Sequence, residues 1–196
     1  MSRSTWSVSW GRRRIGSLRT REEGSITFLN LSLGSPLVRA TETVTGELGV
    51  VGAWFIMAGD PSEGRFSLVE HPIVPRGLAA PVHLHTREDE FSFVLEGRWG
   101  FMLGSSVVHA EPGDLVFKPR DVWHTFWNAT DRPARLLEII SPAGFEQLFV
   151  ELDELLRTDP ENVAAASALG AKYGMESDQE ATARVAAEHG LIERPA

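Results

Sequence analysis

The chain of 196 residues contains no cysteine. Without thiols it forms no disulfide and offers no thiolate to a metal, so a metal site would have to use imidazole or carboxylate groups. We therefore expect a reducing compartment, the cytoplasm. Also missing are the eighteen or more consecutive apolar residues of a membrane span and the apolar stretch of a secretory signal. The sequence accordingly predicts no membrane partner.

Basic residues are fewer than acidic ones, and they are unevenly placed. The formal net charge is −8, yet the first 24 residues hold six arginines and two glutamates. An Arg- and Ser-rich start resembles a transit peptide or a nucleic-acid-binding arm, although a flexible leader is the simpler interpretation. The pair Arg12-Arg13 could begin a twin-arginine export signal, but charged residues over 19–23 stand where that signal needs an apolar core. Export is therefore not expected. We expect residues 1–40 to form a flexible N-terminal arm.

Four residues in the middle of the chain have the spacing of metal ligands. His83 and His85 are two apart in an extended segment, so they project from one face of a strand. Glu90 opens the next strand facing inward, and a proline-led turn delivers His124 on a later strand. A buried carboxylate beside three imidazoles would be costly without a cation. We predict that these four residues bind one divalent transition metal ion per chain.

Other candidates for the site have simpler interpretations. Glu88 and Asp89 are rivals to Glu90, but their place in the polar connection favours a solvated loop, and the spacing to Gly97 favours Glu90. The remaining histidines are interpreted as hydrogen-bonded core or surface residues: His71, His109 and His189.

Two blocks of sequence resemble a known family. Residues 77–97 read G-x5-H-x-H-x4-E-x6-G, and residues 113–128 read G-x5-P-x-D-x2-H-x3-N. These blocks resemble the two motifs of the cupin superfamily at every fixed position but one, Asp121, where the family has glycine. Aspartate is among the few other residues that accept a left-handed backbone, so we expect the turn to be kept.

The resemblance implies a mainly β fold, the cupin double-stranded β-helix or jelly-roll barrel, which we place at residues 41–141. Turn residues between apolar runs predict hairpins over 50–74 and 97–108, and a last barrel strand over 135–140.

Beyond the barrel, residues 142–196 are predicted to form a C-terminal helical extension. Apolar residues recur at helical spacing over 142–157, and two capping patterns predict shorter helices that end at Gly174 and Gly190. Residues 160–190 hold five acidic and two basic residues, which argues against nucleic-acid binding. A lid or an oligomer contact is the expected role.

An open site with three histidines and one glutamate resembles that of quercetin or flavonol dioxygenase-like bacterial cupins. The resemblance implies that substrate binds the metal through oxygen and that Glu90 serves as both ligand and base. Iron, manganese, nickel, cobalt, copper and zinc all suit such ligands. Residues that share the inward face, with two further aromatic residues, predict the walls of a substrate pocket: Ser92, Val94, Phe126, Trp54 and Phe66.

The sequence therefore predicts a metal-dependent oxidoreductase of dioxygenase type that acts on a small oxygenated molecule, aromatic or enolic. The first alternative is a non-catalytic module that binds metal or a small molecule. The second is a sugar or keto-acid isomerase, for which no inward lysine or arginine is evident. Phe91, Phe93 and Leu95 share the outer face of the Glu90 strand and need apolar cover, which favours a homodimer.

Overall fold

The computed structural model describes residues 45–193, and the predicted arm over residues 1–40 lies outside them. The described strands are, in chain order, β1 (Thr45–Leu48), β2 (Val51–Met57), β3 (Ser67–Ile73), β4 (Val82–His85), β5 (Asp89–Glu96), β6 (Trp99–Leu103), β7 (Ser106–Ala110), β8 (Leu115–Lys118), β9 (His124–Asn128), β10 (Ala134–Ser141) and β11 (Met175–Asp178). The helices are α1 (Gln147–Thr158), α2 (Val163–Lys172) and α3 (Gln179–His189).

The strands form two antiparallel sheets. Sheet A has the order β1-β2-β3-β10-β5-β8, and sheet B has the order β11-β4-β9-β6-β7. The predicted hairpins are present as the β2–β3 and β6–β7 pairs. The prediction of a mainly β fold with C-terminal helices is therefore confirmed.

Alternation along the strands decides which side chains enter the space between the sheets. On β5, the even positions Glu90, Ser92 and Val94 are buried, whereas Phe91 and Phe93 are only half-buried. Such alternation is expected of a strand with one face on the core and the other toward solvent. Sheet A thus presents Glu90 inward, as predicted.

An aromatic cluster fills one part of the barrel interior. Trp99 and Phe101 on β6 are fully buried, and the Phe101 ring stacks on that of Phe126 with centroids 5.9 Å apart. Val94 and Leu136 from sheet A complete this apolar core. The predicted metal ligands lie beside it, so the interior has an apolar part and a polar part.

Helix α1 begins later than the sequence predicts. The expected helix start at Pro142, capped by Ser141, is wrong, because Ser141 is the last residue of β10 and its hydroxyl donates to the Arg65 carbonyl. The buried Glu146 carboxylate accepts from the Gly59 and Gly144 amides, which ties the chain before α1 to the barrel. Helix formation starts only at Gln147.

The other two helices are present, with a strand between them that the sequence did not predict. Asn162 and Asp178 are the caps, and their side chains accept from the third amide beyond them. Strand β11 pairs antiparallel with β4, with Ser177 opposite His83. Among the described residues, no helix combines the length and the apolar character needed to cross a bilayer.

Gly100 is predicted to be a critical packing position. A Cβ on Gly100 would overlap the buried Trp127 indole directly across the β6–β9 pair. Gly100→Ala should lower the free energy of unfolding by about 3 kcal/mol, because neither the ring nor the backbone can move aside easily. Gly104→Ala, in open space at φ +58°, should cost only about 1 kcal/mol. Urea unfolding of both variants measures this, and equal losses would contradict the prediction.

Candidate metal centre

The two sheets bring the four predicted ligands together. His83 and His85 come from β4 and His124 from β9, with His83 directly opposite His124, while Glu90 projects from β5 on the other sheet. All four side chains are buried, and one ligand atom from each lies within 4.8 Å of the others. This cluster could hold a metal ion.

The ligand atoms point at a common centre. The Nε2 atoms of His83 and His85 are 3.1 Å apart. The Glu90 carboxylate faces them with Oε1 at 3.4 Å from His85 Nε2 and Oε2 at 3.5 Å from His124 Nε2. Three imidazole nitrogens and a carboxylate in this arrangement match the donor set of a divalent transition ion.

Backbone carbonyls set the tautomers of two of the imidazoles. His83 Nδ1 donates to the Pro81 carbonyl at 2.7 Å, and His124 Nδ1 donates to the Val122 carbonyl at 2.9 Å. Burial holds the pKa of His83 well below its ordinary value and also lowers the pKa of His124, so both rings are neutral. Their Nε2 lone pairs therefore face inward, as metal ligation requires.

An unpartnered atom supports the fit to a metal. His124 Nε2 is buried and makes no hydrogen bond to any residue that the structure describes. A buried polar atom without a partner is costly, and a bound cation would satisfy this one. The residues present thus fit a metal ion bound through imidazole Nε2 atoms and a carboxylate.

A buried lysine stands beside the cluster, so the expectation of no inward lysine is wrong. Lys118 is 1% exposed, and its Nζ lies 2.8 Å from Glu90 Oε2 and 2.8 Å from Glu138 Oε2. Ser92 Oγ donates to the Glu138 carboxylate at 2.9 Å. The sequence interpretation missed both Lys118 and Glu138, although Glu138 has the inward parity of its buried neighbours on β10.

These charges change one another's protonation. Burial would lower the pKa of Lys118, but Glu138 and Glu90 outweigh it and raise this pKa. Burial would raise the pKa of Glu90, but Lys118, His85 and His124 together outweigh it and hold that pKa well below its ordinary value. For Glu138, burial prevails over Lys118 and raises the pKa to about 7.

Glu88 is buried, which corrects its interpretation as a solvated loop residue. Its Oε2 lies 3.9 Å from His85 Nδ1, and neither atom has a hydrogen-bond partner within residues 45–193. Asp89 instead forms an ion pair with Arg120, whose hydrogen bond lowers the pKa of Asp89 to about 2. Glu88 Oε2 thus faces His85 Nδ1 from beyond hydrogen-bond distance, unlike the carbonyls that accept from the other two imidazoles.

The turn before His124 keeps the expected backbone. Asp121 adopts a left-handed conformation with φ +61°, and its amide donates to the His85 carbonyl at 2.7 Å. This bond joins the turn to the strand that carries two of the ligands. Aspartate therefore takes the place of glycine here without loss of the turn.

A cavity of about 240 Å³ opens beside the cluster. His83, Glu90, Glu138 and His71 supply its polar wall, and the apolar wall includes the predicted Phe126. His71 was interpreted as an ordinary core histidine. Its Nδ1 donates to the Gly52 carbonyl at 2.8 Å and burial lowers its pKa to about 4, which leaves a neutral ring on the cavity wall.

The other predicted pocket residues lie elsewhere. The Ser92 hydroxyl is held by Glu138, and Val94 is part of the apolar core. Trp54 has the outward parity of β2 and is 38% exposed. Phe66 lies before β3, where its amide donates to Ser62. None of the four lines the cavity.

Comparisons with known proteins agree with this fold. Residues 71–140 match the family model for the cupin domain. The chain is similar to a predicted oxalate decarboxylase from Thermotoga maritima, with 18% identity, 54% of this chain and 98% of the other covered, and a TM-score of 0.50. No curated protein sequence matches the chain significantly.

Two further solved structures are more distant in shape. KdgF from a Halomonas species is 17% identical over 48% of this chain and 81% of its own, with a TM-score of 0.44. A sugar phosphate isomerase of the cupin superfamily from Silicibacter pomeroyi is 26% identical over 47% of this chain and 59% of its own, with a TM-score of 0.42.

The matched segment runs from β3 to β10 and contains all four cluster residues. The family model supports the cupin superfamily for the barrel, in agreement with the resemblance of the two sequence motifs, and the Thermotoga structure supports the fold alone. The narrower resemblance to flavonol dioxygenase-like cupins stays a prediction.

Removal of imidazoles tests the metal centre directly. Protein purified without chelators or a histidine tag should carry about one transition metal ion per chain, as a single set of four ligands implies. His83→Ala combined with His124→Ala should abolish this content. His109→Ala, at an exposed position on β7, is the matched control and should retain it. Elemental analysis measures the metal content of each protein. Undiminished metal in the double variant would contradict the assignment of His83 and His124 as ligands.

Glu88→Gln tests whether the buried carboxylate supports His85. A group that orients a ligating imidazole contributes to metal affinity, so the variant should bind metal roughly 10- to 100-fold more weakly. Competition with a chromogenic chelator measures the affinity. Glu96→Gln, at an exposed position on β5, is the control. Equal affinities for Glu88→Gln and the unaltered protein would exclude this role.

Proposed function

We propose that the barrel is a metal-dependent enzyme that acts on a small oxygenated organic molecule. The observation that carries this proposal is the set of inward Nε2 atoms, with tautomers set at His83 and His124, at the wall of a cavity. A bound divalent ion would supply a Lewis-acid centre for a substrate oxygen. The chain's own residues would hold the ion and shape the space beside it.

The cavity supports a small, uncharged substrate. Its volume of about 240 Å³ is below the roughly 300–1,000 Å³ typical of pockets for drug-sized ligands. No lysine or arginine is among the described residues that line it, so an anchor for phosphate or carboxylate is lacking. Phe126 and Phe145 offer apolar walls. An aromatic or enolic molecule smaller than a three-ring flavonol suits this space.

The polar wall suggests how such a substrate is oriented. With Nδ1 of His71 donating to Gly52, the neutral ring keeps Nε2 as an acceptor for a substrate hydroxyl. Glu138 is a second acceptor on the same cavity. Lys118 pairs with both carboxylates, but the pKa of Glu90 lies well below its ordinary value, whereas burial raises the pKa of Glu138 to about 7. We therefore assign proton transfer to Glu138 rather than to Glu90.

The finer proposal is dioxygenase chemistry. A redox-active ion held by the four cluster residues would supply the chemistry that activates oxygen, and the residues would leave room beside it for a substrate oxygen. Resemblance of the three-histidine, one-glutamate pattern to flavonol dioxygenase-like cupins supports this choice. The mainly apolar cavity also limits the access of water to a reactive centre.

A second candidate is a proton-transfer reaction such as isomerisation. It is favoured by Glu138, a carboxyl group on the cavity wall that shares the Lys118 ammonium. Such a pair supplies an acid and a base without any need for oxygen. An uncharged keto or enediol compound is then the expected substrate, rather than a sugar phosphate.

The two candidates separate in one experiment on the metal-loaded protein. A panel of small phenols, enediols and β-diketones is tested for oxygen uptake in air and for deuterium incorporation from D₂O under nitrogen. We expect oxygen uptake that His83→Ala abolishes. Exchange or isomerisation under nitrogen would favour the second candidate, and tight binding without either reaction would indicate a non-catalytic binding module.

Glu138→Gln should separate proton transfer from metal binding. We expect this variant to keep its metal and to lose about 10²-fold or more in turnover, the usual contribution of a general acid or base. Glu96→Gln, which is exposed, should retain full turnover. Elemental analysis and steady-state rates are measured on the same samples, and an undiminished rate in Glu138→Gln would remove this role.

A further inference from the structure

Sheet A carries a buried polar network that the two sequence motifs do not account for. Lys118 lies directly opposite Glu90 across the β5–β8 pair, and Glu138 lies directly opposite Ser92 across the β10–β5 pair. Because positions 90 and 92 share one face of β5, all four side chains enter the barrel together. Each is buried. The register of three neighbouring strands therefore builds this network next to the metal ligands.

The network treats the two oxygens of Glu90 differently. Lys118 Nζ forms an ion pair with Oε2 at 2.8 Å. Oε1 faces His85 Nε2 at 3.4 Å and contacts no lysine or arginine in the described range. Oε2 also lies 3.5 Å from His124 Nε2, so both oxygens face imidazoles, but among the described residues only Oε2 has an ammonium group beside it.

The ammonium group is itself held in place. Lys118 Nζ donates to Glu138 Oε2 at 2.8 Å and lies 4.1 Å from the centroid of the Phe126 ring. Ser92 fixes Glu138 through its hydroxyl. Lys118 thus donates a hydrogen bond to Glu138, forms an ion pair with Glu90 and lies over the Phe126 ring. These three contacts hold the ammonium group beside Glu90.

We propose that Lys118 is a positioning residue that makes Glu90 a one-oxygen metal ligand. This inference rests on the metal centre proposed above. The ammonium keeps Oε2, which leaves Oε1 for the ion. Three imidazole nitrogens and one oxygen would then be the protein's four donors to the ion, which would leave room beside it for a substrate and a second small ligand. If both oxygens of Glu90 were bound, part of that room would be lost.

Cobalt spectroscopy tests this role without reference to activity. The protein is loaded with Co²⁺, whose visible absorption bands weaken as its coordination number rises. In Lys118→Met, Oε2 is released to the ion, so we expect weaker visible bands than in the unaltered protein at equal cobalt content. Lys172→Met removes an exposed ammonium on α2 and should leave the spectrum unchanged.

A second variant guards against loss of the fold, because Lys118→Met alone leaves the Glu138 carboxylate buried without its partner. Lys118→Met combined with Glu138→Gln removes both charges, and the same weakening of the bands is expected. Bands identical to those of the unaltered protein in either cobalt-loaded variant would overturn the role of Lys118. If the unaltered protein binds no cobalt, the proposed metal centre itself fails, and this inference fails with it.

Discussion

Strand register is the constraint on which the rest of this structure depends. On sheet A it sets Glu90 opposite Lys118 and Ser92 opposite Glu138, and on sheet B it sets His83 opposite His124. A slip of one residue in any of these pairs would turn a polar side chain to the outer face. The backbone hydrogen bonds that hold each sheet together thus also hold the site, which makes the site as rigid as the barrel.

Burial of so much charge is tolerated because the charges are arranged as alternating partners. Glu90 and Glu138 each contact Lys118, and Ser92 adds a hydroxyl where no second cation is available. Removal of one partner from such a network leaves an uncompensated buried charge, which costs about 3–5 kcal/mol. The Phe126 ring lies between this polar region and the aromatic core, and it contributes to both.

The sequence reveals those parts of the site that depend on local alternation. His83, His85 and Glu90 follow the two-residue period of their strands, so their common direction could be predicted. Lys118 looks like a surface residue because it ends a short edge strand, and its burial depends on a partner 28 positions away on β5. Strand β11, Met-Glu-Ser-Asp, has little β propensity and forms because β4 offers an open edge.

The C-terminal extension, for which the sequence predicts helices and a role as a lid or an oligomer contact, supplies residues to the cavity. The Phe145 ring packs edge-on against His85 with centroids 4.3 Å apart, and Leu148 on α1 lines the cavity. Leu148 and Leu152 also line an outer groove of about 870 Å³ that adjoins the cavity. Since these side chains lie between the groove and the cavity, a shift of α1 would change the shape of both. For the enzyme proposed above, the shape of the space open to a substrate would then depend on helix packing as well as on the barrel.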